Sequence, residues 1–255
     1  MPSPLDSAFT EKEQAQSGKD AKAMTIFGQA ADLVLSADPE LIAIVGLSLR
    51  VSLTATLIAS LLAIPLGTAL AIWKFPLHQV LVVISTSLMA LPPVVVGLFI
   101  YLLLSRAGPL GDYGILFTPT AMIIAQSVLI FPIVLALTRE AILPLNRDYK
   151  NLLDALDVSP IQRLKTLIWD ARFAVVTGLL AGFGRALAEV GAVIIVGGNI
   201  AGFTRVMTTT IALETSKGNL DLALALGIIL LTIAVTINAA IHWVSSFGRK
   251  YQVTR

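Results

Sequence analysis

Residues 139–172 read REAILPLNRDYKNLLDALDVSPIQRLKTLIWDAR, eleven charges in 34 positions lying between two apolar stretches. Within them Leu152, Leu153, Leu156, Leu164, Leu167 and Ile168 recur at helical spacing. Ser159-Pro160-Ile161-Gln162 carries the marks of a helix start: a serine N-cap, a proline at the first helical position, and a glutamine placed to answer the cap. The segment is too long for a turn. Its spacing predicts a short helix over 148–157, a bend, and a second helix that runs into the next apolar stretch. A charged helical hairpin between two membrane-length runs predicts an all-α membrane protein with a substantial excursion on one side.

Outward from this hairpin, five runs can cross a hydrocarbon core of about 30 Å, which takes about 20 residues each. They are 45–72, with Arg50 near its outer end, then 78–104, 119–137, 174–196, which contains Arg185 and Glu189, and 221–243. The composition agrees. Of 255 residues, 56% are hydrophobic and 13% charged, whereas a soluble domain holds about 45–50% apolar and about 25% charged residues. The absence of cysteine excludes a disulfide scaffold and a thiolate chemistry. The net charge of +2 gives no basis for nucleic-acid binding. The lone Gly18-Lys19 pair lacks the rest of a phosphate-binding loop, so the chain has no P-loop of its own with which to hydrolyse ATP.

Residues 1–24 read as a disordered polar tail without the apolar core of a signal peptide. Residues 25–40 read as an interfacial amphipathic helix or a soluble turn, 41–248 as the membrane domain, and 249–255 as a basic cytoplasmic tail. Lys and Arg set the orientation. With the N-terminus outside, the cytoplasmic side holds Lys74, Arg139, Arg147, Lys150, Arg163, Lys165, Arg172, Arg249, Lys250 and Arg255, and the outer loops hold only Arg106, Arg205 and Lys217. That predicts N-out, C-in.

Prolines interrupt three of the runs, at Pro65, Pro92-Pro93 and Pro132; each is a packing kink, or, at Pro92 and Pro93, a gate or cavity. Arg185 and Glu189, four apart, share a face if the fourth run is one helix. Either alone is costly in a membrane. Paired, they fix packing between helices or lie beside an anion path, where Glu189 keeps Arg185 from trapping an anion. Gly178 and Gly182, extended by Gly184 and Gly191, let helix backbones approach closely, or offer backbone N–H groups to an anion. The loop 197–220, rich in Gly and Thr, is a solvated connector with a short helix near 205–216, or folds in as an outer gate. His78 and His242 read as interfacial residues.

Two stretches carry a resemblance. Ala90-Leu-Pro-Pro-Val-Val-Val-Gly97, followed by Leu103-Leu-Ser-Arg-Ala-Gly-Pro-Leu-Gly111, resembles permeases for oxyanions. Gly184-Arg-Ala-Leu-Ala-Glu-Val-Gly-Ala192, onward to Val196-Gly-Gly-Asn-Ile200, resembles the tungstate branch of those permeases, with sulfate and molybdate relatives similar around the Arg and Glu. The whole, over residues 41–248, resembles the membrane subunit of a type I ABC importer. The family's Glu-Ala-Ala…Gly signature would fall on Asn151-Leu152-Leu153 and Asp157, and its closing apolar-Pro on Leu167-Ile168-Trp169-Asp170; nearly every signature residue is replaced, leaving Leu156, Val158 and Ser159.

The resemblance implies a five-helix permease fold without catalytic activity of its own. It implies a coupling helix at Asn151, Leu152, Leu153, Asp154, Leu156, Asp157, Val158, Ser159 and Pro160. It also implies a homodimer enclosing a path near Arg185, Glu189, Gly191, Pro92 and Pro93. The implied partners are a second copy, two ATPase subunits holding ATP and magnesium, an extracytoplasmic oxyanion-binding protein and the lipid bilayer, in a prokaryotic inner membrane. A secondary transporter or channel working alone is the competing class. Against it, the sequence shows no inverted repeat and few intramembrane carboxylates.

Overall fold

Asp38 starts the first long helix: its carboxylate accepts the N–H groups of Glu40 and Leu41 at 2.9 and 3.1 Å, and Pro39 occupies the first helical turn, where its missing N–H costs nothing. This helix, α1, runs Pro39–Ile72 through Pro65. The computed structural model describes residues 28, 30, 32–36 and 38–253, with side chains as far as Phe247. The tail 1–24 lies outside the described residues, as do the side chains of 249–255. Within 25–40 the described positions 28, 30 and 32–35 are helical, and Ala30, Leu33 and Val34 pack with Leu41, Ile44 and Leu226.

The other helices are α2 (His78–Leu88), α3 (Pro93–Leu104), α4 (Pro119–Ala155), α5 (Pro160–Asp170), α6 (Arg172–Leu187), α7 (Gly191–Gly197), α8 (Met207–Lys217) and α9 (Leu220–Val253), with one 3-10 turn at Gly111–Tyr113. No strand occurs among the described residues. Three helices, α1, α4 and the Leu220–Phe247 part of α9, are long and apolar enough to cross a membrane. Two bent pairs, α2–α3 at 101° and α5–α6 at 73°, raise the number to five if each is one span.

The predicted runs therefore appear as helices, with three corrections. Residues 78–104 do not form one rod. Met89–Pro92 breaks them, because Pro92 is extended (ψ 123°) and two consecutive prolines cannot continue a hydrogen-bonded turn. Pro65 and Pro132, by contrast, sit inside unbroken helices. The predicted short helix over 148–157 is not separate; it is the end of α4. With 37 residues, α4 is about 55 Å long, well beyond the bilayer core of about 30 Å, so the helix that crosses the membrane also forms the excursion. Residues 174–196 are two helices, α6 and α7, parted at Ala188–Val190.

Small residues knit the centre. Ala55, Ala59 and Ala63 of α1 meet Ile130 and Val134 of α4, and a Cβ on Gly67 would stand 2.5 Å from the Leu135 carbonyl oxygen. A second apolar cluster joins Ala71 of α1, Ile142 of α4, Leu167 of α5 and Val175 of α6 near the C-terminal end of α1.

Candidate functional site: the broken helix at Arg185 and Glu189 and the exposed turn after α4

The break between α6 and α7 is built by side chains. Gln126, 4% exposed in α4, donates from Nε2 at 3.0 Å to the Ala186 carbonyl, which also accepts the Glu189 N–H at 3.1 Å, so this carbonyl in the last turn of α6 is held from both the chain and α4. Glu189 lies just past that end and is buried. Its Oε2 accepts from Arg185 Nη1 at 2.6 Å and its Oε1 accepts the Ala192 N–H at 3.1 Å, so one carboxylate pairs a cation and caps the start of α7. Its own carbonyl accepts the Thr208 hydroxyl at 2.7 Å. The Arg185 side chain remains 41% exposed against 3% for Glu189. The pair meets without the single helix its spacing implied: the chain turns out of α6 and the glutamate reaches back.

Around this break the segment 197–220 folds onto the rest of the chain. Thr204, Thr208, Thr209 and Thr210 are buried. Ser48 of α1 accepts the Met207 N–H at 2.8 Å, Thr204 donates to the Gly197 carbonyl at 2.6 Å, and Thr209 pairs with Asn199 at 2.9 Å. Residues 197–220 are thus not a solvated connector, and their helix, α8, spans Met207–Lys217. At its end Glu214 accepts from Lys217 at 2.8 Å and Asn219 at 3.0 Å. Those two hydrogen bonds hold its carboxyl below the ordinary value of 4.5.

The glycines divide by neighbour. A Cβ on Gly178 would press on Leu137 and one on Gly182 on Ile130 and Val134, all in α4, while Gly184 looks to Ile237 in α9. Gly191 sits against Val94 of α3, beside Pro92 and Pro93, and a Cβ on Gly97 would stand 2.7 Å from the Ala192 Cα. The Pro92-Pro93 corner, Gly191 and Glu189 are therefore neighbours, and α3 and α7 touch backbone to backbone. An apolar groove of about 770 Å³ on the other side of α3, lined by Leu91, Val95, Phe99, Leu110 and Tyr113 among others, has no charged residue in its wall and is no place for an anion. His78 packs edge-on to Phe75, 5.6 Å between ring centres, and His242 is exposed.

At the far end of α4 Asn151, Leu152, Leu153 and Asp154 occupy its last turn, and Leu156 ends it. Asp157 takes φ +48°, its N–H bonds the Asp154 carbonyl at 3.3 Å, and the Val158 N–H bonds the Leu153 carbonyl at 3.2 Å. This is the Schellman arrangement, with Asp in the left-handed position that favours glycine. Ser159 then caps α5. Its hydroxyl accepts the Gln162 N–H at 3.4 Å while Gln162 Oε1 accepts the Ser159 N–H at 3.2 Å, and Pro160 is the first helical residue. Leu153 is buried, but Leu152 (59%), Leu156 (64%) and Ile161 (69%) are exposed at a tip that α4 carries past the membrane. Contiguous exposed apolar side chains outside a bilayer mark a protein contact.

The family model for the binding-protein-dependent transport system inner membrane component matches residues 63–246. The chain belongs to that family. It is 43% identical over 216 residues to the tungstate uptake system permease protein TupB of Peptoclostridium acidaminophilum, covering 85% of this chain and 95% of that one. It is 38% identical over 216 residues to the TupB of Campylobacter jejuni (85% and 90%), and 38% identical over 204 residues to a probable anion ABC transporter permease protein of Haloferax volcanii (78% and 88%). The fold is thus that of a type I ABC importer permease, a multi-pass membrane subunit whose homologues are permease subunits of ABC transporters. Asp157, on which the signature glycine of the resemblance would fall, has a left-handed φ that glycine adopts freely.

Sequence reasoning missed Gln126, Thr208 and Ser48. Gln126 had a readable signal, a lone amide in an otherwise uncharged span. Thr208 and Ser48 had none, since hydroxyls are common in membrane helices.

Proposed function

We propose that the chain is the membrane subunit of an ATP-driven importer for tungstate or a similar tetrahedral oxyanion, and that two copies enclose the path. The carrying observation is the likeness to two tungstate permeases over 85% of the chain, supported by the exposed apolar turn at Leu152, Leu156 and Ile161. An ATPase pair, holding ATP and magnesium, docks on residues 148–165 from the cytoplasm. An external binding protein delivers the anion to the opposite face. The N-terminus lies outside and the C-terminus inside, in keeping with the basic residues around the turn.

Arg185 faces the path. A free guanidinium grips a dianion through paired hydrogen bonds; Glu189, already on Nη1, weakens that grip, and transport needs sites weak enough to leave. The membrane domain is reconstituted with its ATPase and binding protein, and tungstate uptake is followed against molybdate and sulfate competitors. ATP-dependent uptake, lost in Arg185→Ala at unchanged protein level, is the expected result. Uptake without ATP would make the chain an autonomous transporter. Normal uptake by Arg185→Ala would remove the residue from the path.

A further inference from the structure

One polar chain at the inner end joins the exposed turn to a membrane helix that does not contain it. Arg163, in α5, donates from Nη1 to Asp154 Oδ1 at 2.8 Å and from Nη2 and Nε to Asn146 Oδ1 at 3.0 and 3.3 Å. Asn146, in α4, donates from Nδ2 to the carbonyl of Ala71, 3.2 Å away in the last turn of α1. The amide's orientation follows from its partners: arginine has donors only, so the amide oxygen must face Arg163, and the NH₂ is left for the carbonyl. Ala71 is one of the last four residues of its helix, so its carbonyl has no partner within α1, and Asn146 supplies one. The Arg163 side chain is 16% exposed, shielded enough for its hydrogen bonds to matter.

We propose that Asn146 and Arg163 are positioning residues that carry movement of the turn at 156–159 to the inner end of α1. The inference rests on the ATP-driven reading above. Beneath the strut, Ala71, Ile142, Leu167 and Val175 form an apolar contact. Such a contact resists separation but not sliding, because dispersion and burial are non-directional. Hydrogen bonds to one carbonyl and one carboxylate do resist sliding. Arg163 has a separate donor for each end, Nη1 toward the turn and Nη2 and Nε toward Asn146. Lysine at 163 carries one ammonium and cannot reproduce that fork. Asp at 146 keeps an acceptor for Arg163 but loses the NH₂ that holds Ala71, so it opens the strut at α1 alone.

The chain has no cysteine, so one introduced thiol is a unique label. In the complex with its ATPase, spin labels at Lys74→Cys, just beyond α1, and at Lys165→Cys, on the exposed side of α5, report the distance between the two copies with and without a non-hydrolysable ATP analogue. Both distances are expected to change in the parent. With Asn146→Asp or Arg163→Lys, the Lys165 distance still changes while the Lys74 distance stays fixed, and transport per ATP hydrolysed falls about tenfold with hydrolysis retained. A role in stability alone would lower assembly and both distance changes together, and would overturn the proposal. So would a Lys74 change as large in both variants as in the parent. If the Lys165 distance fails to change even in the parent, the ATP-driven reading falls and the strut with it.

Discussion

The two ends of this molecule handle polar groups in opposite ways. At the end that the proposed orientation places outside, the outer end, residues 188–217 bury four threonines and two glutamates and satisfy most of them within the chain: Glu189 on Arg185 and Ala192, Thr208 on the Glu189 carbonyl, Glu214 on Lys217 and Asn219. At the inner end, residues 139–172 are rich in charge yet leave Leu152, Leu156 and Ile161 exposed. The first end turns its hydrogen-bonding side chains into its own fold; the second, though its polar groups are also paired, carries an apolar tip that, on the proposed function, an ATPase covers. Substitutions should therefore act through stability outside and through association inside.

The largest expected effect lies inside. Leu156→Glu with Ile161→Glu puts two charges on the exposed tip, at positions 64% and 69% open to solvent. Uptake is expected to be lost and the ATPase to stop co-purifying, with the stability of the isolated membrane subunit within about 0.5 kcal/mol of the parent, as for ordinary surface changes. A large drop in thermal midpoint in detergent would mean that the tip is part of the chain's own core, and the contrast between the ends would fail.

The next effect is outside and of the opposite kind. Glu189→Ala leaves Arg185 without its partner and the Ala192 N–H without its cap, and breaking a pair with one buried member costs about 3 kcal/mol. Glu189→Gln keeps an oxygen for Ala192 but turns an NH₂ toward Arg185, so it loses the ion pair and keeps the cap, and it is expected to cost less than Glu189→Ala. Thermal unfolding of both variants reads the difference. Equal costs would show that the carboxylate acts only through its charge and caps nothing.

How much of each end could be read from the sequence follows the same division. The inner turn is local: Ser159, Pro160 and Gln162 lie next to one another, and the capping box they spell is the one that forms. What could not be read there is that α4 never stops before it, because no signal in residues 138–148 distinguishes a helix leaving the membrane from a new one, and Pro144 does not break it. The outer break is set from far away, by Gln126 on the Ala186 carbonyl, 60 positions off, and by Thr208 on Glu189. Leu187-Ala188-Glu189-Val190 has nothing in it that ends a helix, so one continuous span was the natural expectation. The ion pair was legible from its spacing; the bend that makes it was not.

A smaller effect tests whether the outer hydrogen bonds hold as charges. Lys217 and Asn219 depress the Glu214 pKa below 4.5. A group whose folded pKa is lowered stabilises the fold above its unfolded value, and that contribution disappears as pH falls through the folded value. Amide exchange at Asn219, whose N–H bonds the Glu214 carbonyl at 2.9 Å, is expected to be slower in the parent than in Glu214→Gln at neutral pH. The ratio should narrow only below pH 4.5. A ratio that is flat through that range would mean that a neutral amide serves there as well as the carboxylate.

The smallest effect concerns Asp157 and sharpens the comparison from the other side. Its φ of +48° is a conformation that L residues adopt at a cost and glycine adopts freely. Asp is among the residues that tolerate it best, so the native turn carries only mild strain. Asp157→Gly removes that strain but adds freedom to the unfolded chain, and the two terms oppose each other, leaving a change of about 0.5 kcal/mol in either direction. Asp157→Val keeps the side chain but not the tolerance, and a β-branched residue at that φ is expected to cost about 1–2 kcal/mol. The informative quantity is the gap between Gly and Val at this position. A gap of that size in thermal unfolding confirms that the turn is shaped by its own backbone before any partner arrives. The inner end would then be preformed and merely uncovered. If Gly and Val are equal in the isolated chain and differ only in the complex with the ATPase, the turn takes its left-handed residue from docking, and the inner end depends on its partner for shape as well as for cover.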